Sequence, residues 1–141
     1  MLLSVLVPLF NEGEWVTEAL SRVLDSPLPP NVDFEIIVVD DASTADSASR
    51  VEELCSVHPS KIRLIRHVKN MGKGAAIQTA IAQARGDFCL FQDADLEYSP
   101  NDYPRMLQPL LSGPADCVFG SRFITVGEVG DRMPEVKNAA S

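Results

Sequence analysis

Short apolar runs and helical patterns alternate along most of this chain. Each run of strand length is apolar or alternating, and each helical segment places its apolar residues mainly on one side. The predicted strands are Leu3–Val7, Phe34–Val39, Ile62–Arg66, the run that opens at Phe88 and stops before Asp93, and Asp116–Phe119. The predicted helices cover about 12–24, 45–57, 75–84 and 102–111. This alternation predicts a three-layer α/β/α protein with a mainly parallel sheet and right-handed crossovers.

The ends of the predicted helices carry start and stop signals. Ser43 or Thr44 is placed to cap the second helix with its hydroxyl group. Gly86 follows the alanine-rich third helix, so we expect it to form the carboxyl-terminal cap. Beyond Phe123 glycines and a proline interrupt the pattern. We therefore predict one domain over residues 1–123 and an irregular tail, or a truncated segment, over residues 124–141.

The composition places the chain among ordinary globular proteins. It has 141 residues, of which 45% are hydrophobic and 23% are charged, so it can bury a single core. Its formal net charge of −8 makes nucleic-acid binding through a basic face unfavourable. An acidic protein can still bind a polyphosphate, but it then needs a metal ion, local basic residues or helix N-termini.

The cysteines and the first residues bear on the cellular compartment. Cys89 and Cys117 fall in predicted strands, where a small buried thiol is the expectation, and no CxxC spacing occurs. We expect a reducing, cytoplasmic environment. No segment reaches the roughly 18 apolar residues that span a bilayer, and the first run lacks a basic leader. Any membrane association is therefore expected to come through an acceptor or a partner, at the cytoplasmic face.

Polar clusters follow all five predicted strands. Because ligands of an open parallel sheet bind beyond the carboxyl ends of its strands, this shared placement indicates one site. The clusters are Asn11-Glu12, Asp40-Asp41, Asn70 to Gly74, Asp93 to Glu97, and Gly120-Ser121-Arg122.

The cluster after the fourth strand is the first candidate for chemistry. Asp93 and Asp95 are two residues apart, so in an extended segment both point to the same side. Their repulsion at about 4 Å costs roughly 4 kcal/mol at an effective dielectric near 20, and a divalent cation removes that cost. Oxygen ligands favour Mg²⁺ or Mn²⁺ over zinc, and Glu97 is placed to add a third oxygen or a water contact. The alternative is a solvated acid pair that caps a helix.

The other clusters allow both a binding role and a plain structural one. Asp40 can accept hydrogen bonds from a ribose or a base N–H, while Asp41 is as well placed to cap the second helix. The Asn70–Gly74 segment has the composition of a phosphate-cradling loop without the Walker spacing, and its alternative is a flexible loop with a solvated Lys73. Glu12 also suits the first turn of a helix.

Both histidines are better explained as structural residues than as metal ligands. His58 and His67 are isolated in the sequence, so we expect them to lie on the surface or to be satisfied by hydrogen bonds.

Four of these segments together resemble the opening half of family 2 glycosyltransferases of the GT-A fold. Val7–Glu12 resembles the V-P-x-[YF]-N-E signature, Val38–Ser43 the V-D-D-x-S signature, and Asn70–Ala75 the N-x-G-x-[GA]-x-A loop. Asp93-Ala94-Asp95 resembles the DxD motif. Asp93–Pro100 and Gly120–Phe123 resemble, in order and spacing, two motifs of the polyprenyl-phosphate sugar transferases. This branch of the family includes the dolichol-phosphate mannosyltransferases. The resemblance covers about residues 3–123.

The resemblance implies how a nucleotide sugar is held. By it, Pro8, Phe10, Glu12 and Asp40 line the pocket for the base and ribose. Lys73 is a weaker candidate for a nucleotide contact.

The resemblance also implies a catalytic group and a metal site. Asp93 and Asp95 hold Mg²⁺ or Mn²⁺ on the donor pyrophosphate, with Glu97 as a further ligand, and Asp95 counts as catalytic through this metal. Arg122, also assigned a catalytic role, faces a phosphate of the donor or of the acceptor, as its planar guanidinium suits. The alternative for Arg122 is an ordinary surface arginine.

The expected function is inverting transfer of a sugar from a GDP- or UDP-linked donor to an acceptor, with a polyprenyl or dolichyl phosphate as the expected acceptor. No segment after Phe123 matches the acceptor half of the family. The alternative is therefore a non-catalytic nucleotide-sugar-binding fragment. A phosphoacceptor receiver domain fits poorly, because its acidic pair ends the first strand, whereas Asp40-Asp41 follows the second.

Overall fold

The computed structural model describes residues 1–13, 15–44, 46–94, 99–113, 115, 116 and 118. Contacts divide the chain into two units, one of residues 1–25 and 29–99 and one of residues 26–28 and 100–141. The first unit contains the strands β1 (Leu2–Leu9), β2 (Asp33–Asp40), β3 (Ile62–Arg66) and β4 (Phe88–Phe91) and the helices α1 (Trp15–Leu24), α2 (Ser47–Val57) and α3 (Lys73–Gln83).

The four strands form one parallel sheet in the order β3-β2-β1-β4. The chain thus builds outward from β1 to β3 and then returns to place β4 on the other side of β1. The predicted α/β class with a mainly parallel sheet is confirmed. Right-handed connections in such a sheet place α3 on the face opposite α1 and α2.

The core follows from the alternation of side chains along β1 and β2. Leu6, Ile37 and Val39 project to one face and pack with Ala76 and Ala80 of α3. The small alanines let α3 lie close to the sheet. The intervening apolar residues of both strands are buried as well, and α1 and α2 bury their apolar sides; the group comprises Val5, Val7, Ile36, Val38, Val16, Leu20, Val23 and Val51. Burial of each such side chain contributes about 1.5–3 kcal/mol.

The second unit contains a short 3-10 helix, Pro100–Asp102, followed by α4 (Tyr103–Leu111). Tyr103 and Leu107 are buried, and burial raises the pKa of the Tyr103 hydroxyl. Within the described residues, no helix is both long enough and apolar enough to cross a membrane. The predicted boundary after residue 123 lies outside them and stays a prediction.

Two predicted helix caps are wrong. The residue before α2 is Asp46, and neither Ser43 nor Thr44 caps this helix, because both are engaged in the loop described below. The carboxyl-terminal cap of α3 is Ala84, not Gly86. Gly86 is required for another reason: a Cβ there would lie 2.6 Å from Ser4 Oγ and 2.8 Å from the Leu2 carbonyl oxygen.

The fourth strand is less buried than its apolar sequence predicts. Leu90 is buried, but Phe91 is 59% exposed and Cys89 is exposed. In the four-stranded sheet β4 is an edge strand that pairs with β1. The prediction of a buried thiol at Cys89 is therefore wrong, while Cys117 and Phe119, two of the four residues of the predicted fifth strand, lie outside the described residues.

Candidate functional site

The sheet topology places one set of strand ends side by side. β1 and β4 are neighbours, and Gln92 N donates to the Leu6 carbonyl at 2.9 Å just beyond β4. Successive strands are added on one side of β1 up to β3, and β4 is then added on the other side, so the strand order reverses between β1 and β4. In open parallel sheets the crevice at such a reversal, beyond the carboxyl ends, is where ligands bind. The segment after Leu9 and the segment that begins at Asp93 therefore flank the candidate site.

Asp40, the last residue of β2, has a fully buried carboxylate. Its Oδ1 accepts hydrogen bonds from the Ser43 hydroxyl and from Ser43 N, the latter at 3.2 Å. Its Oδ2 has no hydrogen-bond partner among the described residues, although Arg66 Nε forms a long ion pair with it at 3.5 Å. A buried polar atom without a partner costs about 1–3 kcal/mol, which marks Asp40 Oδ2 as an acceptor available to a ligand.

Asn11 and Ser43 join the loops that follow β1 and β2. Asn11 N donates to Ser43 Oγ at 3.0 Å, and Thr44 N donates to Asn11 Oδ1 at 2.8 Å. Asn11 has a φ of 52°, a left-handed conformation that asparagine tolerates better than most residues. Gly13 N donates to Ser47 Oγ at 2.9 Å in the same junction. The hydroxyl groups of Ser43 and Ser47 and the backbone N–H of Thr44 thus hold this junction together.

Asp41 organises the loop that precedes α3. Its Oδ1 accepts from Met71 N at 2.9 Å and its Oδ2 accepts from Gly72 N at 2.8 Å. His67 Nδ1 lies 2.8 Å from Asp41 Oδ1, and its Nε2 lies 2.8 Å from Thr79 Oγ1 on α3. Burial alone would raise the pKa of Asp41, but hydrogen bonds from His67, Met71 N and Gly72 N hold it below its ordinary value of 3.8. The carboxylate is therefore ionised at neutral pH.

The same loop delivers a cation to the end of β4. Lys73 is the first residue of α3, and its Nζ lies 2.6 Å from Asp93 Oδ1. The lysine side chain is 62% exposed and the aspartate 32%. A carboxylate at this strand end therefore already attracts a positive group.

The structure locates six of the predicted site residues. Pro8 is in β1 and pairs with Val39, Phe10 follows the strand and is exposed, and Glu12 precedes α1. Asp40, Lys73 and Asp93 lie at the same end of the sheet, and Lys73 and Asp93 are in contact. Their roles toward a ligand stay predictions.

Asp95, Glu97 and Arg122 lie outside the described residues. Within the described part of the chain, no three acidic, histidine or cysteine side chains are grouped as a metal site. Of the predicted ligand set only Asp93 is described, and its hard oxygen donor suits Mg²⁺ or Mn²⁺. The predicted metal site thus rests on the sequence pattern and on this one carboxylate.

Sequence reasoning missed the residues that hold the loops. The sequence left a cap of α2 as the structural alternative for Asp41, and the carboxylate instead binds the loop before α3. His67 is satisfied by hydrogen bonds, as predicted, but its partners were not foreseen. The alternation of side chains along β2 could have indicated the position of Asp41. This residue continues the face of Ile37 and Val39, on which α3 packs.

These features define an α/β protein whose candidate ligand site lies at the carboxyl ends of parallel strands, where nucleotide-binding folds hold their ligands. The family model for glycosyl transferase family 2 matches residues 4–138. The chain therefore belongs to glycosyl transferase family 2.

Two curated relatives indicate the branch of the family. The chain is 35% identical over 129 residues to a dolichol-phosphate mannosyltransferase of Pyrococcus furiosus, which covers 92% of this chain and 35% of the relative. It is 34% identical over 104 residues to an undecaprenyl-phosphate 4-deoxy-4-formamido-L-arabinose transferase of Proteus mirabilis, covering 74% and 32%. The chain thus spans about a third of the length of these relatives.

Solved structures agree on the fold. The mannosyltransferase PcManGT from Pyrobaculum calidifontis, in complex with GDP-Man and Mn²⁺, superposes with a TM-score of 0.64 at 31% identity, covering 71% of this chain and 29% of that one. S. aureus TarS in complex with UDP gives 0.70 at 27% identity, covering 89% and 38%. The expected GT-A fold is confirmed.

Proposed function

We propose that this chain forms the donor-binding part of an inverting glycosyltransferase that moves a sugar from a GDP- or UDP-linked donor to a polyprenyl or dolichyl phosphate. Membership of family 2 and relatives named for dolichol-phosphate and undecaprenyl-phosphate transfer support this assignment. The neighbours in complex with GDP-Man and with UDP support a nucleotide donor.

The buried carboxylate of Asp40 is the observation that carries the proposal. Its Oδ2 has no hydrogen-bond partner within the described residues, at a strand end beside the switch point of the sheet. A ribose hydroxyl or a base N–H would supply the missing donor. The Arg66 side chain near this oxygen is 55% exposed, so it can move aside when a ligand binds. Pro8, Phe10 and Glu12 are proposed to line the same pocket.

A divalent cation fits the acidic end of β4. Asp93, with Asp95 and Glu97 as further proposed ligands, would hold Mg²⁺ or Mn²⁺. When bound, such an ion neutralises a pyrophosphate and stabilises the charge of the leaving group. Lys73 is displaced from Asp93 in this arrangement and becomes available to a donor phosphate, to which an ammonium group binds as a point charge.

The acceptor proposed here needs little activation by a base. A phosphate monoester has a second pKa near 6, so a lipid phosphate is largely ionised at neutral pH. One of its oxygens attacks the anomeric carbon while the bond to the nucleoside diphosphate breaks on the opposite face, which inverts the configuration. Arg122 is proposed to bind one of the phosphates. The nucleoside diphosphate leaves with the bonding electron pair.

A transfer assay tests the proposal. The chain is incubated with GDP-mannose or a UDP-hexose, Mn²⁺ and undecaprenyl or dolichyl phosphate in detergent, and the glycolipid is extracted and quantified. Wild type is expected to form product and Asp95→Asn to lose at least a hundredfold in rate, because a charge-stabilising group is removed. Asp25→Asn, a change at an exposed aspartate, is the matched control.

The outcomes separate the two functions left open by the sequence. Product from wild type and none from Asp95→Asn supports transfer. Donor binding without product favours the non-catalytic nucleotide-sugar-binding alternative. Equal rates for wild type and Asp95→Asn contradict the metal role of Asp95.

A further inference from the structure

The loop before α3 is held by groups that the proposed function does not use. Met71 N and Gly72 N both donate to the buried carboxylate of Asp41, at 2.9 and 2.8 Å. Each oxygen of this carboxylate accepts one hydrogen bond from a backbone N–H, so the two bonds fix the loop at two residues. Gly72, the residue before α3, has a φ of 95°, which a residue with a Cβ rarely adopts.

His67 and Thr79 extend this contact to the body of the domain. The ring of His67 lies between Asp41 Oδ1 and Thr79 Oγ1, at 2.8 Å from each. Its side chain is 9% exposed. His67 immediately follows β3, and Thr79 is on the second turn of α3. The end of β2, the end of β3 and the helix α3 are thus joined by one chain of hydrogen bonds that ends at the loop.

The position of Lys73 depends on this chain of bonds. Only one residue separates Met71, whose amide is held, from Lys73, which contacts Asp93 at 2.6 Å. Long exposed side chains lose about 2 kcal/mol of rotamer entropy when fixed. A fixed backbone reduces the further cost of placing the ammonium group at the site.

We propose that Asp41 and His67 are positioning residues of the donor site: they hold the loop at 70–72 so that Lys73 lies at the end of β4, next to Asp93, and can reach a donor phosphate when a metal ion takes its place at that carboxylate. The inference rests on the proposed function, because it assigns these residues to the same site. Neither residue contacts the donor in this account. Both act through Lys73.

Thr79 offers the most conservative test. Thr79→Val keeps the shape of the side chain and removes the hydroxyl that His67 Nε2 contacts, while Thr79→Ser keeps the hydroxyl. The affinity for GDP and for UDP, each with Mn²⁺, is measured by calorimetry. We expect about threefold weaker binding for Thr79→Val, about tenfold for His67→Gln and wild-type affinity for Thr79→Ser. His58→Gln, at the other histidine of the chain, is the matched control.

A double substitution separates positioning from a general loss of structure. If His67 acts through Lys73, His67→Gln weakens binding by less than twofold in a Lys73→Met background. If His67 acts through overall stability, the losses of affinity caused by His67→Gln and by Lys73→Met multiply in the double variant. Amide hydrogen exchange at Met71 and Gly72 gives a readout without nucleotide, and it is expected to accelerate in His67→Gln and Thr79→Val but not in Thr79→Ser.

Each outcome bears on one of the two claims. If the wild-type chain binds a nucleotide and Thr79→Val and His67→Gln bind it with the same affinity, the positioning role is overturned and the proposed function stays intact. Multiplicative effects in the double variant also overturn it. If wild type binds neither nucleotide, the proposed function fails and this inference fails with it.

Discussion

Lys73 and Asp93 place an ammonium nitrogen 2.6 Å from a carboxylate oxygen at the carboxyl end of β4. The lysine side chain is 62% exposed and the aspartate 32%, so solvent screens the attraction and the pair adds at most about 0.5 kcal/mol to stability. The contact therefore contributes little to the stability of the fold, and a role in the candidate site explains it better. It shows that a single side chain can neutralise this carboxylate before any ligand binds.

Removing the lysine is expected to affect binding rather than folding. Lys73→Met should leave the melting temperature within about 2 °C of wild type, since the pair is solvent-screened. It should weaken nucleoside diphosphate binding about tenfold, because a charge-assisted contact to phosphate is lost. Lys69→Met, at an exposed lysine of the same loop, is the control. A Lys73→Met variant that binds like wild type would remove Lys73 from the site.

Asp40→Asn is expected to separate stability from binding. Since Asp40 Oδ2 is buried without a hydrogen-bond partner among the described residues, and its ion pair with the 55% exposed Arg66 is long at 3.5 Å, replacing the charge with an amide should change the melting temperature little. Nucleotide affinity should fall at least tenfold, because the acceptor for a ligand N–H or hydroxyl is altered. Glu52→Gln changes another carboxylate near Arg66, at 3.3 Å, and should not affect binding. A clear loss of stability together with normal binding in Asp40→Asn would contradict this role.

Gly86 is expected to tolerate no side chain. In Gly86→Ala the new Cβ would meet the backbone of Ser4 at 2.7 Å and of Leu2 at 2.8 Å, so β1 or the turn must shift, at a cost of about 1–3 kcal/mol. Gly74→Ala, in the first turn of α3 with no atom within 4 Å of the new Cβ, should instead gain up to about 1 kcal/mol. Urea unfolding of both variants measures the difference. Equal effects of the two substitutions would show that the close approach at Gly86 is not strained.

A buried network at the opposite end of the sheet should make stability depend on pH. Glu35 accepts from Ser4 Oγ at 2.7 Å, from Arg85 N at 2.8 Å and from Arg63 Nη2 at 3.0 Å. Burial raises the pKa of Glu35, but these three donors outweigh it and hold the pKa below the ordinary value of 4.5. The stabilisation is therefore complete above about pH 4.5 and is lost as the pH falls through the lower pKa of the folded state.

The variant Glu35→Gln measures this contribution. At pH 7 it should cost about 2 kcal/mol, since charge-assisted hydrogen bonds are weakened. The difference from wild type should shrink steadily below about pH 4.5, because protonation removes the same charge in wild type. Glu53→Gln, at an exposed glutamate, should show neither effect. A cost that is independent of pH would mean that shape rather than charge explains the loss.

The sequence predicts the bounds of β2 and β3 well, because both have a strong apolar or alternating pattern. β3 begins and ends where the alternation of Ile62–Arg66 predicts, and β2 extends the predicted run by one residue at each end. Local spacing could not reveal that β4 lies at the edge of the four-stranded sheet, so its burial was overestimated. Strand order depends on contacts between distant segments, which a local pattern does not contain.

Of the candidate site, only the residues that follow the ends of the strands could be predicted from the sequence. Asp40, Lys73 and Asp93 follow from polar clusters after apolar runs. The partners of Asp41 do not, because a carboxylate after a strand is equally suited to a helix cap, and the choice depends on where the loop 31 residues later lies. Ser43 and Thr44 are a second case, since the Ser43 hydroxyl group and the Thr44 backbone N–H bind partners in the loops and do not cap α2.

Thermal unfolding with nucleotide and metal tests the donor site most directly. The melting temperature is measured with GDP, UDP and their sugars, with Mn²⁺ or with EDTA, for wild type and Asp93→Asn. At about 100 times its Kd a ligand stabilises by about 2.7 kcal/mol, or roughly 8 °C for a domain of this size. We predict such a rise for wild type with one of the nucleotides only when Mn²⁺ is present, and little rise for Asp93→Asn. No rise with any of these ligands, or an equal rise in Asp93→Asn and in EDTA, would contradict a metal-dependent nucleotide-sugar site at the end of β4.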